Sequence, residues 1–329
     1  MSLGVTAPGD RTAAQAASDK PRIFFVGVGN MGNPMAANLV KAGYAVAVFD
    51  LVRDKADNLL KLGASWADSL IAGATAADVV IASLPGPRQV KEAMLGTPND
   101  AGILAAVRPG TTVIDTSTSA ADLVRELVEH AGKRGVDFLE APVTNAIDAA
   151  AAGKLTIFVG GDKACYEKHL PIFKTLGEKI LHVGAPGNGA TVKLLTNLLW
   201  FVSAAAIGEG LMLGAKAGVP LDTVWEAIRS SAGNSWVAEH DVPSIFAGHY
   251  DPSFSLELCC KDLGLVNDIA KAQGHTLVMG SFVKTLFEEA KARYGAGAAE
   301  LHVVRLLEER AGLFLRPPHG VPSDGQSNA

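Results

Sequence analysis

The feature that most restricts the fold is a glycine-rich turn between a predicted strand and a predicted helix. The run RIFFVG, residues 22–27, is short and apolar, as is typical of a buried strand. The run NPMAANLVKAG, residues 33–43, reads as a helix that stops at a glycine. Between them lies GVGNMG, with the pattern GxGxxG. This order predicts the first βα unit of a doubly wound sheet.

The same turn has the chemistry of a dinucleotide-binding site. Gly27 allows the tight turn, Gly29 lets a pyrophosphate approach the backbone, and Gly32 lets helix and strand pack closely. Asn30 and Met31 complete the turn at the helix N-terminus, where unpaired N–H groups and the positive end of the helix dipole favour phosphate. We therefore predict all five residues as cofactor contacts.

An acidic residue closes the second predicted strand, YAVAVFD. Asp50 can accept hydrogen bonds from both ribose hydroxyls and would repel a 2′-phosphate. The alternative interpretation is a solvated Asp at a strand end. Arg53, three residues later, could instead meet a phosphate. We expect NAD as the cofactor, with NADP as the less favoured alternative.

The pattern of predicted elements changes once along the chain. Strands are predicted in ADVVIASLP, TTVIDTST, DFLEAP and LTIFVGG, and an amphipathic helix in AADLVRELVEHAGKRG. After about residue 184 only helices are predicted, at 188–217, 221–230, after 234, 256–272 and 282–294. We predict a Rossmann-like α/β domain with a doubly wound, mostly parallel sheet over residues 21–184. An all-α domain follows over 185–314, joined by the long helix, with a flexible leader at 1–20 and a flexible tail at 315–329.

Composition excludes several classes of protein. The 329 residues carry a formal net charge of −5 without Lys/Arg clusters, which argues against nucleic-acid and membrane-surface partners. Three cysteines without metal spacing predict no metal site and fit a reducing, cytoplasmic environment. The apolar run 194–215 has the length of a membrane helix, but polar residues interrupt it. We predict that it is buried in a domain or in the interface of a homodimer or homotetramer.

A lysine stands in the apolar stretch GNGATVKLLTNLLW, residues 187–200. Taken alone, Lys193 is most simply a residue whose stem packs while its ammonium reaches water. The alternative is catalytic, because an ammonium within reach of an alcohol oxygen stabilises developing charge and relays the proton. An apolar surround would lower its pKa, and Asn197, one turn later, lies on the same helical face.

Five stretches together resemble the β-hydroxyacid dehydrogenase family, part of the 6-phosphogluconate dehydrogenase superfamily. They are FVGVGNMGNPMAANL, DTSTSAADL, EAPVTNAIDAAAAGKLTIFVGG, GNGATVKLLTNLL and FSLELCCKDLGL, which follow in the family's order, and the resemblance covers residues 22–311. The family includes 3-hydroxyisobutyrate dehydrogenase and tartronate semialdehyde reductase. The resemblance implies NAD-dependent hydride transfer between the nicotinamide and the hydroxyl-bearing carbon of a small 3-hydroxyacid, or its semialdehyde.

The resemblance also assigns residues. Lys193 and Asn197 match the catalytic lysine and the asparagine of the GxGxxxKxxxN stretch, and Asn197 also matches a substrate contact. Ser117 matches a substrate contact and Thr118 a nicotinamide contact, although Thr118 or Ser119 would alternatively cap the following helix. The remaining cofactor positions are Leu84, Pro85, Arg88 and Lys261, whose alternative interpretations are a strand-to-loop turn and solvated helix residues.

One departure concerns the substrate carboxylate. After APV the family usually has Ser-Gly-Gly, and this chain has Thr144, Asn145 and Ala146. Asn145 replaces a glycine that is expected to need positive φ and adds an amide donor. Glu140 stands where the family prefers Asp. We predict Thr144 and Asn145 as substrate contacts in a reshaped anion subsite, and a substrate with an additional polar group or a sulfonate is a hypothesis.

Two other functions are compatible with the fold. One is an NADP-dependent semialdehyde or imine-type reductase, and the other is a non-catalytic NAD(P)-binding scaffold. Imine-type relatives generally lack the lysine, and its loss is typical of a scaffold. The presence of Lys193 therefore argues against both.

Overall fold

The computed structural model describes residues 20–317, and the chain divides between Ala190 and Thr191 into two compact units. We call them the sheet unit and the helical unit. The predicted division after residue 184 lies six residues earlier. The leader residues 1–19 and the tail residues 318–329 lie outside the described residues.

The sheet unit is built on nine strands: β1 Ile23–Val26, β2 Val46–Phe49, β3 Ser65–Trp66, β4 Val79–Ala82, β5 Thr112–Asp115, β6 Asp137–Glu140, β7 Val143–Thr144, β8 Leu155–Gly160 and β9 Gly177–Gly184. Their order is β3-β2-β1-β4-β5-β6-β8-β7, with β9 beside β8. All pairs from β3 to β6 are parallel, whereas β8 runs antiparallel to β6 and β7. The predicted Rossmann-like, mostly parallel sheet is thus confirmed.

Helices cover both faces of this sheet. They are α1 Gly32–Lys41, α2 Asp57–Lys61, α3 Leu70–Ala76, α4 Pro87–Leu95, α5 Ile103–Ala106, α6 Ala121–Gly132, α7 Ala146–Ala152 and α8 Lys163–Leu176, with a 3₁₀ turn at Arg53–Ala56. Neighbouring residues of β1 show the arrangement, because Phe25 packs in one apolar layer and Phe24 in the other, and both are fully buried. Alternate side chains of a strand point to opposite faces, so a continuous apolar run marks a strand covered on both sides.

The helical unit contains only helices among its described residues. They are α9 Asn188–Lys216, whose first three residues belong to the sheet unit, α10 Leu221–Arg229, a π-helical turn Val237–Asp241, α11 Val242–Ala247, α12 Leu256–Ala272, α13 Val278–Tyr294 and α14 His302–Ala311. Phe201 and Leu211 of α9 pack in the same core as Leu263 of α12 and Phe287 of α13. The predicted all-α C-terminal domain is confirmed.

The long helix α9 has the length and apolar composition of a membrane-crossing helix. Its most apolar stretch has a mean hydropathy of 1.6, and 44% of that stretch is buried inside the structure. Core helices of proteins without a membrane span have the same properties, so these features alone are weak grounds for a membrane segment.

Two predicted boundaries are wrong. Helix α13 begins at Val278 and not at 282. The flexible tail does not begin at residue 315, because Leu315 is buried and its N–H donates to Glu308 Oε1 at 2.8 Å. Arg316 also donates to that carboxylate, at 3.2 Å. The buried carboxylate of Glu308 needs these donors, and they hold the chain in place.

Candidate active site

The glycine turn after β1 has the geometry of a dinucleotide cradle. Gly27 has φ +85°, and a Cβ there would overlap the carbonyl oxygen of Ser83. A Cβ on Gly32 would overlap the carbonyl oxygen of Gly27, whereas a Cβ on Gly29 would meet nothing within 4 Å. The turn therefore needs glycine at its first and third positions for packing, and it leaves open space at the second. Open backbone at that position is what a pyrophosphate requires, so the turn fits the cofactor.

A cleft of about 340 Å³ opens beside this turn. It is lined by Val28, Gly29, Asn30, Asn33, Pro34, Lys55 and Ile147. The side chain of Met31 does not cap helix α1, and no side-chain hydrogen bond is made at its N-cap. The N–H of Asn33 donates to the carbonyl oxygen of Gly29 at 2.9 Å, and no N-cap side chain competes with an anion for this helix N-terminus.

The carboxylate of Asp50 is oriented by backbone donors. Its Oδ2 accepts the N–H of Val28 at 3.0 Å, and its Oδ1 accepts the N–H of Val52 at 2.9 Å. Lys55 Nζ lies 4.0 Å from Oδ1, and the guanidinium of Arg53 stacks on the ring of Trp66, 5.5 Å from its centroid. Asp50 thus faces the glycine turn, as the ribose contact requires, and Arg53 is engaged with an aromatic ring.

The residues predicted at the ends of β4 and β5 divide into two groups. Leu84 and Ser117 lie together, because the N–H of Leu84 donates to Ser117 Oγ at 2.8 Å. Pro85 is exposed at the turn that follows. Arg88 has a side chain that is 76% exposed, and it pairs with Glu92 at 3.6 Å.

The alternative role of Thr118 or Ser119 as a helix cap is wrong. Helix α6 has Ala120 as its N-cap residue, without a side-chain cap. Ser119 Oγ is buried and has no hydrogen-bond partner within residues 20–317. Thr118 is half-buried beside it. The helix therefore has no side-chain cap from its N-cap residue, and Ser119 Oγ does not bond to its N-terminus.

Asp115, the first residue of the DTST stretch, is a further acid at this site that was not predicted from the sequence. It is fully buried at the end of β5, directly beside Glu140 of β6 in the parallel register. Asp115 Oδ1 accepts the N–H of Ser117 at 3.0 Å, whereas Oδ2 has no hydrogen-bond partner within the described chain. Burial, with Glu140 adding to it, raises the pKa of Asp115 to about 7.

The turn between β7 and α7 carries the departure from the family pattern. Asn145 has φ 85° and Ala146 has φ 62°, so the expected positive φ is observed, at two consecutive positions. The amide of Asn145 donates to Thr156 Oγ1 at 3.1 Å. At least one of its N–H groups is therefore used within the fold, and Thr144 lies directly before it as a half-buried residue.

Lys193 lies in the helical unit and is buried, with 8% of its surface exposed. Burial, and to a smaller extent Lys261, lowers its pKa from the ordinary 10.5 to about 8, against the opposing effects of Asp262 and Glu300. Within residues 20–317 it forms no ion pair. The simple interpretation of an ammonium extended into water does not describe this residue, and a lowered pKa is what proton transfer near neutral pH needs.

A buried carboxylate links the two other predicted residues of this unit. Asn197 Nδ2 donates to Asp262 Oδ2 at 2.7 Å, and Lys261 Nζ lies 2.8 Å from Asp262 Oδ1. Asp262 is 1% exposed. It stands next to Lys261 in the KDL stretch, and this adjacency is a signal for it in the sequence.

Glu300, which lies near Lys193, and its neighbour Asp241 had no sequence signal. Glu300 is buried, and burial together with Asp251 and Asp241 raises its pKa to about 9. Asp241 accepts the Nε1–H of Trp200 at 2.8 Å, and burial raises its pKa to about 6. Within the described residues no three His, Cys, Asp or Glu side chains are grouped as a metal site.

Comparison with known proteins places these features in one family. Residues 22–184 match the family model described as the NAD binding domain of 6-phosphogluconate dehydrogenase. Residues 187–307 match the model described as NAD-binding of NADP-dependent 3-hydroxyisobutyrate dehydrogenase.

Individual relatives extend over nearly the same range. The chain is 38% identical to an NAD-dependent L-serine dehydrogenase of Pseudomonas aeruginosa, over 81% of this chain and 91% of that protein. It is 34% identical to a 2-(hydroxymethyl)glutarate dehydrogenase of Eubacterium barkeri, over 89% and 96%. The structure of a Mycobacterium tuberculosis 3-hydroxyisobutyrate dehydrogenase with L-serine has a TM-score of 0.79 at 33% identity, covering 87% and 99%.

The fold, the glycine cradle and both family models define an oxidoreductase that acts on CH–OH donors with NAD as its cofactor. Within that class the chain belongs to the β-hydroxyacid dehydrogenase family. The resemblance stated from the five sequence stretches is confirmed.

Proposed function

We propose that this chain oxidises the hydroxyl-bearing carbon of a small 3-hydroxyacid, or reduces the matching semialdehyde, with Lys193 as general acid/base. The observation that carries the proposal is the buried Lys193, whose pKa of about 8 suits proton exchange near neutral pH. When bound, NAD would supply the hydride acceptor for oxidation, and NADH the hydride donor for reduction. In oxidation the neutral amine of Lys193 takes the hydroxyl proton as the carbonyl forms. In reduction the ammonium gives that proton back.

The neighbours of Lys193 have supporting roles. Asn197, fixed by Asp262, would orient the substrate or the lysine from the same helical face. Lys261 would contact the cofactor from the helical unit. In the sheet unit the proposed cofactor contacts are Gly27, Gly29, Asn30, Met31, Gly32, Asp50, Leu84, Pro85, Arg88 and Thr118.

The substrates named for the relatives narrow the proposed class. L-Serine, 2-(hydroxymethyl)glutarate and 3-hydroxyisobutyrate each carry a primary alcohol on the carbon β to a carboxylate. We propose a substrate of this type, with its carboxylate held by Ser117, Thr144 and Asn145. The additional amide of Asn145 favours a substrate with a further polar group over 3-hydroxyisobutyrate itself.

The test is NADH formation, followed by absorbance, with these three compounds and with NAD and NADP in parallel. Lys193→Met should lower kcat by about 10²- to 10⁴-fold, as the loss of a general acid/base does, while the Kd of NAD stays unchanged. Lys216→Met is the matched control, because that lysine is exposed at the far end of the same helix. Turnover by Lys193→Met within tenfold of the parent protein would exclude the proposed role. Absence of turnover on every compound would exclude the substrate class.

The preference for NAD follows from Asp50. Its carboxylate is fixed by two backbone donors beside the glycine turn, where it can bind ribose hydroxyls and repel a 2′-phosphate. Equal or higher kcat/KM with NADP would contradict this. Asp50→Ala should reduce the difference between the kcat/KM values measured with NAD and with NADP.

We also propose that the enzyme is a cytoplasmic homo-oligomer. Exposed apolar side chains of α9 and α13 support this, namely Leu195, Leu199, Val278, Met279 and Phe282. All three cysteines are free and buried, which suits a reducing compartment. Light scattering coupled to size-exclusion chromatography measures the oligomer, and a monomer at micromolar concentration would contradict it.

A further inference from the structure

The last residue of β6 lies beneath the start of the helix that carries Lys193. Glu140 is 2% exposed, and its Oε1 accepts the N–H of Gly187 and, at 2.9 Å, that of Gly189. Its Oε2 accepts the N–H of Ala190 at 2.8 Å. Because α9 begins at Asn188, these are the N–H groups of the position before the helix and of its second and third residues. They are among the donors that a helix N-terminus leaves without partners.

Helix starts usually receive such acceptors from their own sequence. A Ser or Asp before the helix, or a Glu three residues later, commonly supplies them. Here a single carboxylate, 47 to 50 residues earlier in the chain, supplies all three. The first turn of α9 is therefore fixed to the edge of the sheet by side-chain bonds.

Two neighbouring glycines leave the space that this side chain occupies. A Cβ on Gly160 would overlap Glu140 Oε1, and a Cβ on Gly189 would lie 2.9 Å from Glu140 Cδ. Gly160 and Glu140 are paired in the antiparallel register of β8 and β6. Arg125 lies near enough to favour the ionised carboxylate. Two glycines and one cation thus hold Glu140 under the helix.

We propose that Glu140 is a positioning residue for the proposed reaction, which sets the place of Lys193 by fixing the first turn of α9. Lys193 is three residues beyond Ala190, about 4.5 Å along the helix axis. Displacement of a reacting group by about 1 Å lowers rates by about 10²-fold, so a small shift of this turn is expected to reduce turnover. The inference rests on the proposed role of Lys193.

The test compares three variants. Glu140→Gln keeps the shape but turns an NH₂ group towards one of the donors, and Gly189→Ala crowds an intact Glu140 together with the carbonyl oxygen of Phe158. Gly210→Ala is the matched control in the same helix, since a Cβ there would meet nothing within 4 Å. For the first two variants we expect kcat to fall by about 10- to 100-fold, with an unchanged Kd for NAD and a shifted apparent pKa in the pH profile of kcat. Gly210→Ala should match the parent protein.

Hydrogen exchange provides a readout that does not depend on turnover. The amides of Gly187, Gly189 and Ala190 should exchange slowly in the parent protein and faster in Glu140→Gln. If the parent protein turns over none of the tested compounds, the proposed function fails. Independently of turnover, the capping role of Glu140 is overturned if these amides exchange equally slowly in the parent protein and in Glu140→Gln.

If the parent protein is active, the kinetic constants of the variants test the positioning role of Glu140. A kcat of both variants within twofold of the parent, or an equal loss in Gly210→Ala, overturns the inference, as does a parallel loss of NAD affinity. Should Glu140→Gln fail to fold, Glu140→Asp keeps the charge and shortens the side chain by one methylene. Lowered kcat with unchanged Kd for NAD in that variant supports the positioning role, and a kcat equal to that of the parent overturns it.

Discussion

Replacement of Lys193 by Met should stabilise the protein while it removes turnover. The folded chain buries the ammonium, which lowers the pKa of Lys193 from 10.5 to about 8. Such a fall corresponds to about 3 kcal/mol of unfavourable free energy for keeping the charged form inside the fold. Met has a similar shape and no charge, so Lys193→Met should unfold with a free energy about 3 kcal/mol higher at pH 7.

The pH dependence distinguishes this cause from improved packing. Below pH 8 Lys193 is protonated in both the folded and the unfolded state, and its full destabilising effect is present. Between pH 8 and 10.5 the folded state has lost the proton and the unfolded state has kept it, so the stability of the parent protein rises with pH. The advantage of Lys193→Met should therefore shrink to about 1 kcal/mol at pH 9.5.

Urea unfolding followed by tryptophan fluorescence measures the free energy of unfolding of the parent and of Lys193→Met at pH 7 and at pH 9.5. Three of the four tryptophans, Trp200, Trp225 and Trp236, lie in the helical unit with Lys193, so the signal reports mainly on that unit. Lys216→Met, at an exposed position of the same helix, should change stability by less than about 0.5 kcal/mol at either pH. Equal stability of Lys193→Met and the parent at pH 7, or a difference that does not vary with pH, would refute the reasoning.

Three further outcomes follow from the structure. In the pH profile of kcat/KM, Asp262→Asn should lower the apparent pKa near 8 and Lys261→Met should raise it, because their charges act on Lys193 in opposite directions; shifts of the same sign would contradict this. Gly32→Ala should fail to yield folded protein by circular dichroism, whereas Gly29→Ala should fold with the melting temperature of the parent and a weakened Kd for NAD in calorimetry. Ala146→Gly should raise the free energy of unfolding in urea by about 1 kcal/mol, since φ 62° is unfavourable for alanine, and a loss of stability would show that the turn is not strained.

Local chemistry made part of the molecule predictable. The apolar neighbours Phe24 and Phe25 predict a strand covered on both faces, and the glycine pattern predicts the geometry of its turn. Both predictions were possible because each feature depends on a few neighbouring residues. The antiparallel strand β8 was not predictable in its direction, since an apolar strand reads the same in either orientation. Helix α13 was predicted too short because its first turn begins with the exposed apolar residues Val278 and Met279, which give no periodic signal.

The candidate site divides in the same way. Lys193 stood out because a charge in an apolar helix is unusual, but Glu300, in the turn before α14, comes near it only through tertiary packing. Asp115 looked like an ordinary strand-end residue until the register placed it against Glu140. Side chains that only tertiary structure brings together have no characteristic spacing in the sequence, so a sequence pattern cannot identify them.

The buried charges of this protein differ in how completely they are satisfied. The carboxylates of Glu140 and Asp50 are held by backbone N–H donors, and such groups orient what surrounds them. Lys193 is buried without an ion pair within the described chain, so its proton is held weakly and can be exchanged with a substrate. The incomplete pairing of Lys193 therefore distinguishes it as the proposed proton-transfer group. The backbone hydrogen bonds of Glu140 distinguish that residue as the proposed support for the helix.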